Sequence, residues 1–324
     1  MNPVAKEQPA WLKEYLLSLS ELSSYANYLR MEIIELRSGE TTVSMLVRHE
    51  LTNLSGILHG GAVGSLIDMA MNLACFSLGR RATVLGFNTN FLGGAREGDT
   101  VRAEARVLHS GRSTMVVEGR VMDSQGKLLA KARGTFLAQG EFTPQESAVR
   151  PSQRAAAATA EVKAAAPVRG ADATGNPGAR EEEAVDRVDP GLEAFLVGLH
   201  DRNLFAKYLG MEIADVHKGN SVVSMLITDK HTNIRGVSHG GALVSLADMA
   251  MMLACATLGR RTVTLDLNIS FMRRVSEGCT IRAHCGVIHS GKTTMVVEGK
   301  ITDGSRLLLA AARGTFFATG EYRP

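Results

Sequence analysis

The sequence predicts an α+β protein made of two copies of one small domain, each an antiparallel sheet wrapped around a central helix, packed together as a pseudo-dimer. Three observations predict it. First, LTNLSGILHGGAVGSLIDMAMNLACFSLGRR, starting at Leu51, returns as HTNIRGVSHGGALVSLADMAMMLACATLGRR from His231, an offset of 180 residues. The alignment needs no gap from Tyr28/Tyr208 to Glu141/Glu321. Solenoid repeats run about 20–50 residues, so this is a whole domain duplicated and fused. Such a fusion reproduces the two-fold interface of a homodimer inside one chain. Second, His59 to Leu78 is apolar on nearly every side and too long for a strand; a helix hydrophobic all round is a buried one. Third, four alternating runs follow that helix and two precede it, which is the pattern of a meander packed on one helix.

The elements can be justified in order. Leu12, Leu16 and Leu19 recur as Leu192, Leu196 and Leu199, the i, i+4, i+7 spacing of one apolar helix face. Strands are expected near Met31–Arg37 and Thr41–Val47. The central helix is closed by Gly79 with Arg80 and Arg81 beside it, a good C-terminal stop. Strands then follow at Thr83–Leu92, Thr100–Leu108, Ser113–Met122 and Leu128–Gln139, separated by turn signals at Arg96–Asp99, His109–Gly111 and Asp123–Gly126. Residues 143–189 are rich in Ala, Pro, Gly and charge and have almost no large apolar side chain. They cannot bury enough surface to offset their ordering entropy and read as a flexible linker. The domains are therefore 1–142, the linker 143–189, and 190–324.

Composition narrows the function classes. A net charge of +3 with no dense basic cluster interleaved with aromatics argues against nucleic acid. The four cysteines, Cys75, Cys255, Cys279 and Cys285, make neither a disulfide framework nor a metal pattern. Residues Ala62–Leu78 are interrupted by Ser65, Asp68 and Asn72 and fall short of the ~20 needed to span a bilayer. No apolar signal core follows the N-terminus, and a reduced, cytoplasmic setting is expected.

The chemistry lies in a set of residues that recurs in both repeats. Asn53, His59, Gly60, Gly61 and Asp68 return as Asn233, His239, Gly240, Gly241 and Asp248. The pattern N-x5-HGG-x6-D resembles the signature of the PaaI-type acyl-CoA thioesterases of the hotdog-fold superfamily. The resemblance covers both repeats and leaves out the linker and the N-terminal tail. It implies an acyl-CoA substrate, hydrolysis without a cofactor or metal, and sites shared between paired hotdog units. It also implies a hydroxyl that orients the Asp, carried on the strand after the helix. Repeat two has Thr264 there, whereas repeat one has Val84, with Gly86 in place of Asp266. The Asp248 site is thus expected to be complete and the Asp68 site impaired, unless Thr83 substitutes.

Spacing alone argues for shared sites. His59 and Asp68 are nine residues apart, half a turn out of phase and ~13.5 Å along a helix. They cannot meet within one repeat. With antiparallel central helices, Asn53, His59 and Gly60 would face Asp248, and Asn233, His239 and Gly240 would face Asp68. A Gly-Gly helix start exposes backbone N–H groups at the positive end of the dipole and lets a carbonyl approach closely. Such an oxyanion donor is worth ~3–4 kcal/mol. The carboxylate would activate water or attack the carbonyl, with the histidines as helix caps and orienters. Gly61 and Gly241 are expected to contact substrate, and Arg112 and Lys292, in the HSGR and HSGK turns, to meet CoA phosphates. The functional expectation is an acyl-CoA thioesterase, possessing CoA or an acyl carrier protein as thiol carrier and self-associating through its outer sheet faces. The alternative is a non-catalytic acyl-CoA-binding or regulatory module, against which the absence of a helix-turn-helix pattern counts.

Overall fold

The computed structural model describes residues 8–147 and 187–322. Repeat one begins with helices α1 (Ala10–Ser20) and α2 (Ser24–Leu29), strands β1 (Met31–Arg37) and β2 (Glu40–Leu46), and the central helix α3 (Gly60–Phe76). The meander β3 (Arg80–Phe91), β4 (Thr100–Ser110), β5 (Thr114–Met122) and β6 (Leu128–Glu141) follows, then the short helix α4 (Pro144–Ser147). Repeat two carries α5 (Pro190–Arg202), α6 (Leu204–Tyr208), β7 (Met211–His217), β8 (Asn220–Leu226) and the second central helix α7 (Gly240–Ala256). Strands β9 (Arg260–Phe271), β10 (Thr280–Ser290), β11 (Thr294–Thr302) and β12 (Leu308–Glu321) complete it. Most of the segment expected as a linker lies outside the described residues; helix α4 and a bridge from Arg187 to His217 occupy its two ends. Among the described residues no helix is long and apolar enough to cross a membrane.

The strands form one twelve-stranded sheet in the order β1-β2-β4-β5-β6-β3-β9-β12-β11-β10-β8-β7. The two repeats join where β3 pairs antiparallel with β9, with Asn88 opposite Asn268. These equivalent residues mark the pseudo-two-fold axis. Gly86 lies at this seam, where a Cβ would come 2.5 Å from the Ile269 carbonyl oxygen; the close approach of the strands accounts for the glycine. A second symmetric contact is the stack of Tyr28 on Tyr208, with ring centroids 4.1 Å apart and each hydroxyl donating to the other's backbone carbonyl at 2.5 Å.

Helices α3 and α7 lie side by side on the inner face. A Cβ on Gly61 would sit 2.6 Å from Ser245 Cα, and one on Gly241 2.7 Å from Ser65 Cα. Only hydrogen at these positions lets the backbones approach so closely. The pairing of 61 with 245 and 65 with 241 makes the helices antiparallel. Tyr25 fills the crossing, its hydroxyl bonded to Ser65 Oγ at 2.9 Å and to Ser245 Oγ at 3.4 Å. Leu12, Leu16 and Leu19 of α1 are buried, whereas of their equivalents in α5 only Leu196 is. The outer helices therefore do not cover the two repeats alike.

Candidate active site

Each central helix starts on a histidine cap. His59 Nδ1 accepts from the Gly61 N–H at 3.1 Å, and His239 Nδ1 accepts from the Gly241 N–H at 3.0 Å. That bond places the ring proton on Nε2. Across the helix pair, Asp248 Oδ2 lies 3.2 Å from His59 Nδ1, and Asp68 Oδ2 lies 3.2 Å from His239 Nδ1. A Cβ on Gly60 would meet Asp248 Oδ2 at 2.8 Å, and one on Gly240 would meet Asp68 Oδ2 at 2.7 Å. Both sites are thus composite: the His-Gly start of one repeat faces the carboxylate of the other. The N–H of Gly60 or Gly240, at the first helical position, has no acceptor within its own helix.

The two carboxylates are held differently. Asp68 is buried, and burial pushes its pKa up to about 7, opposed by hydrogen bonds from the Gly241 N–H and the Asn72 amide. Asn72, one turn further along α3, donates to Asp68 Oδ1 at 3.0 Å. Burial lowers the His239 pKa to about 4. The contact between them at neutral pH therefore involves a neutral imidazole and is no ion pair, although its distance is within ion-pair range. In the other site Thr264 Oγ1 donates to Asp248 Oδ1 at 2.8 Å, and burial likewise lowers the His59 pKa, opposed by the charge of Asp248.

A cavity of about 330 Å³ opens on the Asp68 site. Asp68, Asn72, Asn233, His239 and Gly240 form its polar wall. Leu16, Leu19, Met69, Leu73 and Phe76 form an apolar wall between α1 and α3. Arg235, Arg273 and Arg274 line it from repeat two. Among the described residues no group of three or more His, Cys, Asp or Glu is placed to hold a metal.

The thioesterase superfamily model matches the chain twice, over residues 55–130 and 235–310. The acyl-coenzyme A thioesterase PaaI of Escherichia coli is 34% identical over 116 residues, which are 36% of this chain and 83% of the relative. The 1,4-dihydroxy-2-naphthoyl-CoA hydrolase of Listeria monocytogenes is 34% identical over 110 residues, 33% of this chain and 89% of the relative. The chain belongs to the thioesterase superfamily. It is a thioester hydrolase of the PaaI type with tandem hotdog repeats, and one repeat corresponds to nearly a whole single-domain relative. A crystal structure from Novosphingobium aromaticivorans shares the fold across both repeats, with a TM-score of 0.59 at 14% identity, covering 89% of this chain and 98% of that one.

Within this thioesterase the residues singled out from sequence fall into three groups. Asp68, Asn233, His239 and Gly240 converge on the cavity, and Asn53, His59, Gly60, Asp248 and Thr264 form the pseudo-symmetric counterpart. Asn233 Oδ1 accepts from the Arg235 backbone N–H at 2.8 Å, and Asn53 Oδ1 from Ser55 at 2.9 Å. This leaves Asn233 Nδ2 at the cavity wall with no hydrogen-bond partner among the described residues. Gly61 and Gly241, expected to contact substrate, instead lie against the opposite helix and donate to the caps. Arg112 and Lys292 do not line the cavity; they sit in hairpin turns whose carbonyls accept from Arg80 at 3.0 Å and Arg260 at 2.6 Å.

The expectation that Asp68 lacks a side-chain donor needs correction. Val84 does line its cavity, and Thr83 is bonded to Gln139 Oε1 at 2.8 Å instead of to Asp68. Asn72 supplies the orienting hydrogen bond that Val84 cannot. Its signal was present in the sequence: the repeated helix has Met252 at the equivalent position, and i to i+4 is the spacing at which side chains on a helix meet.

Proposed function

We propose that this protein hydrolyses acyl-CoA thioesters at the site built from Asp68, Asn72, Asn233, His239 and Gly240. The observation that carries the reading is the juxtaposition of the Asp68 carboxylate and the Gly240 helix start at the wall of one partly apolar cavity. The thioester oxygen would take the Gly240 N–H, where negative charge developing in the transition state is stabilised by a fixed donor and the helix dipole. A carboxyl with a pKa near 7 suits general-base work at neutral pH. In that route Asp68 takes a proton from water as the oxygen bonds to the carbonyl carbon. The tetrahedral adduct then collapses, the C–S bond breaks, and the proton passes to the departing thiolate. Direct attack by Asp68 would give an anhydride that water then opens, with the same products. His239 is a positioning residue that fixes the helix start.

The acyl group would lie along α3 toward Phe76. Asp68 to Phe76 is two turns of helix, ~12 Å, lined with Met69 and Leu73. The CoA carrier is supported by the names of the two relatives, and a cytoplasmic setting by four cysteines that stay as thiols. Association of two chains through their outer sheet faces is supported by exposed Leu85, Leu137, Leu265 and Phe317 on strands at and beside the seam. The test is free-thiol release from acetyl-, hexanoyl-, decanoyl-, benzoyl- and phenylacetyl-CoA by the wild type and Asp68→Asn. Release from at least one, lost in the variant, is expected. A wild type that hydrolyses none of them would leave the binding-module reading in its place.

A further inference from the structure

The cavity of the Asp68 site has a definite far end. Its lining stops at Phe76 on the α3 wall and at Leu16 on the α1 wall. Leu12, one turn earlier on α1, lies beside Gly79 past the end of α3 and is buried without lining the cavity. Behind Phe76 the space is filled by rings. Phe142 stands edge-on to Phe76, with centroids 5.5 Å apart and planes at 84°, and Tyr15 meets Phe142 at 5.5 Å and 68°. The Arg81 guanidinium lies over the Phe142 ring at 5.5 Å. Phe76 is 8% exposed, and a ring so closely backed has no room to swing aside.

Repeat two shows that the fold does not need this ring. The equivalent residue is Ala256, which is also buried. The backing pair is nonetheless kept: Phe195 and Tyr322, equivalent to Tyr15 and Phe142, meet at 5.5 Å and 61°. The central helices end alike, at Phe76 and at Ala256. The same packing therefore closes without a ring at this position, and what the Phe76 ring adds is an end wall. Its place sets a length. The path along α3 from Asp68 to Phe76 is ~12 Å. A helical side chain leans back over the turn N-terminal to it, so the ring leaves ~7 Å of open path. An extended carbon chain advances ~1.3 Å per bond, so an acyl group of about six to eight carbons fills that path and a longer one meets the ring.

We propose that Phe76 is a specificity-determining residue that limits acyl length at the Asp68 site, admitting medium-chain acyl groups and excluding dodecanoyl and longer ones. The limit rests on the reaction and acyl path of the preceding section, but it can also be read without turnover. In Asp248→Asn chains, whose turnover comes from the Asp68 site, kcat/KM on straight-chain acyl-CoAs should peak at hexanoyl or octanoyl and fall ~10-fold or more by dodecanoyl. Adding Phe76→Ala, which copies Ala256, should raise kcat/KM on dodecanoyl-CoA ~10-fold or more and leave butanoyl-CoA within about twofold. Phe76→Leu keeps more of the buried volume and should move the cut-off part of the way. It decides the matter if thermal melts show the alanine variant unfolded. A profile that does not fall, an unmoved cut-off, or an equal change at every length would overturn the proposal and leave the thioesterase reading intact. Calorimetry with S-butyl-CoA and S-dodecyl-CoA, thioethers that cannot be hydrolysed, is the second readout. S-dodecyl-CoA should bind the Phe76 variant ~10-fold or more tightly than wild type, or with an equivalent that wild type lacks, while S-butyl-CoA binds both alike. If no acyl-CoA is hydrolysed but the thioethers behave as stated, the proposed reaction fails and the length limit stands. S-dodecyl-CoA binding wild type and variant alike would overturn the limit.

Discussion

Replacing Asp68 with Asn removes a negative charge from a nearly dry site and keeps the side chain's shape. An ordinary Asp titrates at 3.8, whereas burial brings Asp68 to about 7. Between those values the unfolded chain has released a proton that the folded protein still holds, so stability falls as pH rises. Below 3.8 both states are protonated and nothing is lost; above about 7 the full cost is present. From pH 5 to 7 the cost grows by about 3 kcal/mol, at 1.36 kcal/mol per pH decade. His239 works in the opposite sense. Its pKa falls from 6.5 to about 4, so its neutral buried form favours folding increasingly as pH rises through that interval. The two effects offset one another in the wild type, but the substitution removes only the Asp68 part. Asp68→Asn should therefore melt higher than wild type at pH 8, by roughly 5 °C more than at pH 5, at about 2 °C per kcal/mol. The same variant should lose ~10²–10⁴ of its turnover. Melting curves at the two pH values, with thiol release on the same samples, make the test. An equal difference in Tm at both pH values, or a wild type more stable at pH 8, would refute the burial reasoning.

Further outcomes follow from the same geometry. In a pH–rate profile, kcat/KM should rise about tenfold per pH unit below about 7 and level off above it, because the ionised Asp68 is the reactive form. Asn72→Met copies repeat two and removes a donor to that anion, so the midpoint of the profile should move to higher pH; an unmoved midpoint would exclude Asn72 as its orienter. Gly240→Ala puts a methyl 2.7 Å from Asp68 Oδ2 and should cost ~10²–10³ in kcat, read against an otherwise normal melting curve. Thr264→Val strips the hydroxyl from Asp248 and should lower total turnover less than Asn72→Met does, measured at saturating substrate near neutral pH.

The sequence carried the repeat, the buried helix and the six strands because each is a pattern of apolar residues that packing then obeys. It also carried the composite character of the sites, since nine residues on a helix force His59 and Asp68 apart. Helices α2 and α6 are too short for periodicity to mark, and only their caps, Ser23 and Asn203, announce them. Gly61 and Gly241 could be seen in sequence as a place for substrate to approach; what approaches is the other helix. Arg235, Arg273 and Arg274 were illegible as a group because they come together only when loops of repeat two fold over the cavity beside α3. Val84 and Gly86 misled for separate reasons. Asn72 takes over the missing hydroxyl's hydrogen bond from a different element, and Gly86 answers to the seam between β3 and β9.

Double substitutions test the cross-repeat assembly most directly. Asp248→Asn leaves the Asp68 site as the working one. Adding Gly60→Ala then strikes the site already disabled, and adding Gly240→Ala strikes the other. Shared sites predict that Asp248→Asn/Gly60→Ala keeps the kcat of Asp248→Asn, whereas Asp248→Asn/Gly240→Ala loses a further ~10²–10³. The reverse order, with Gly60→Ala the damaging addition, would mean that each site closes within its own repeat and would contradict the account.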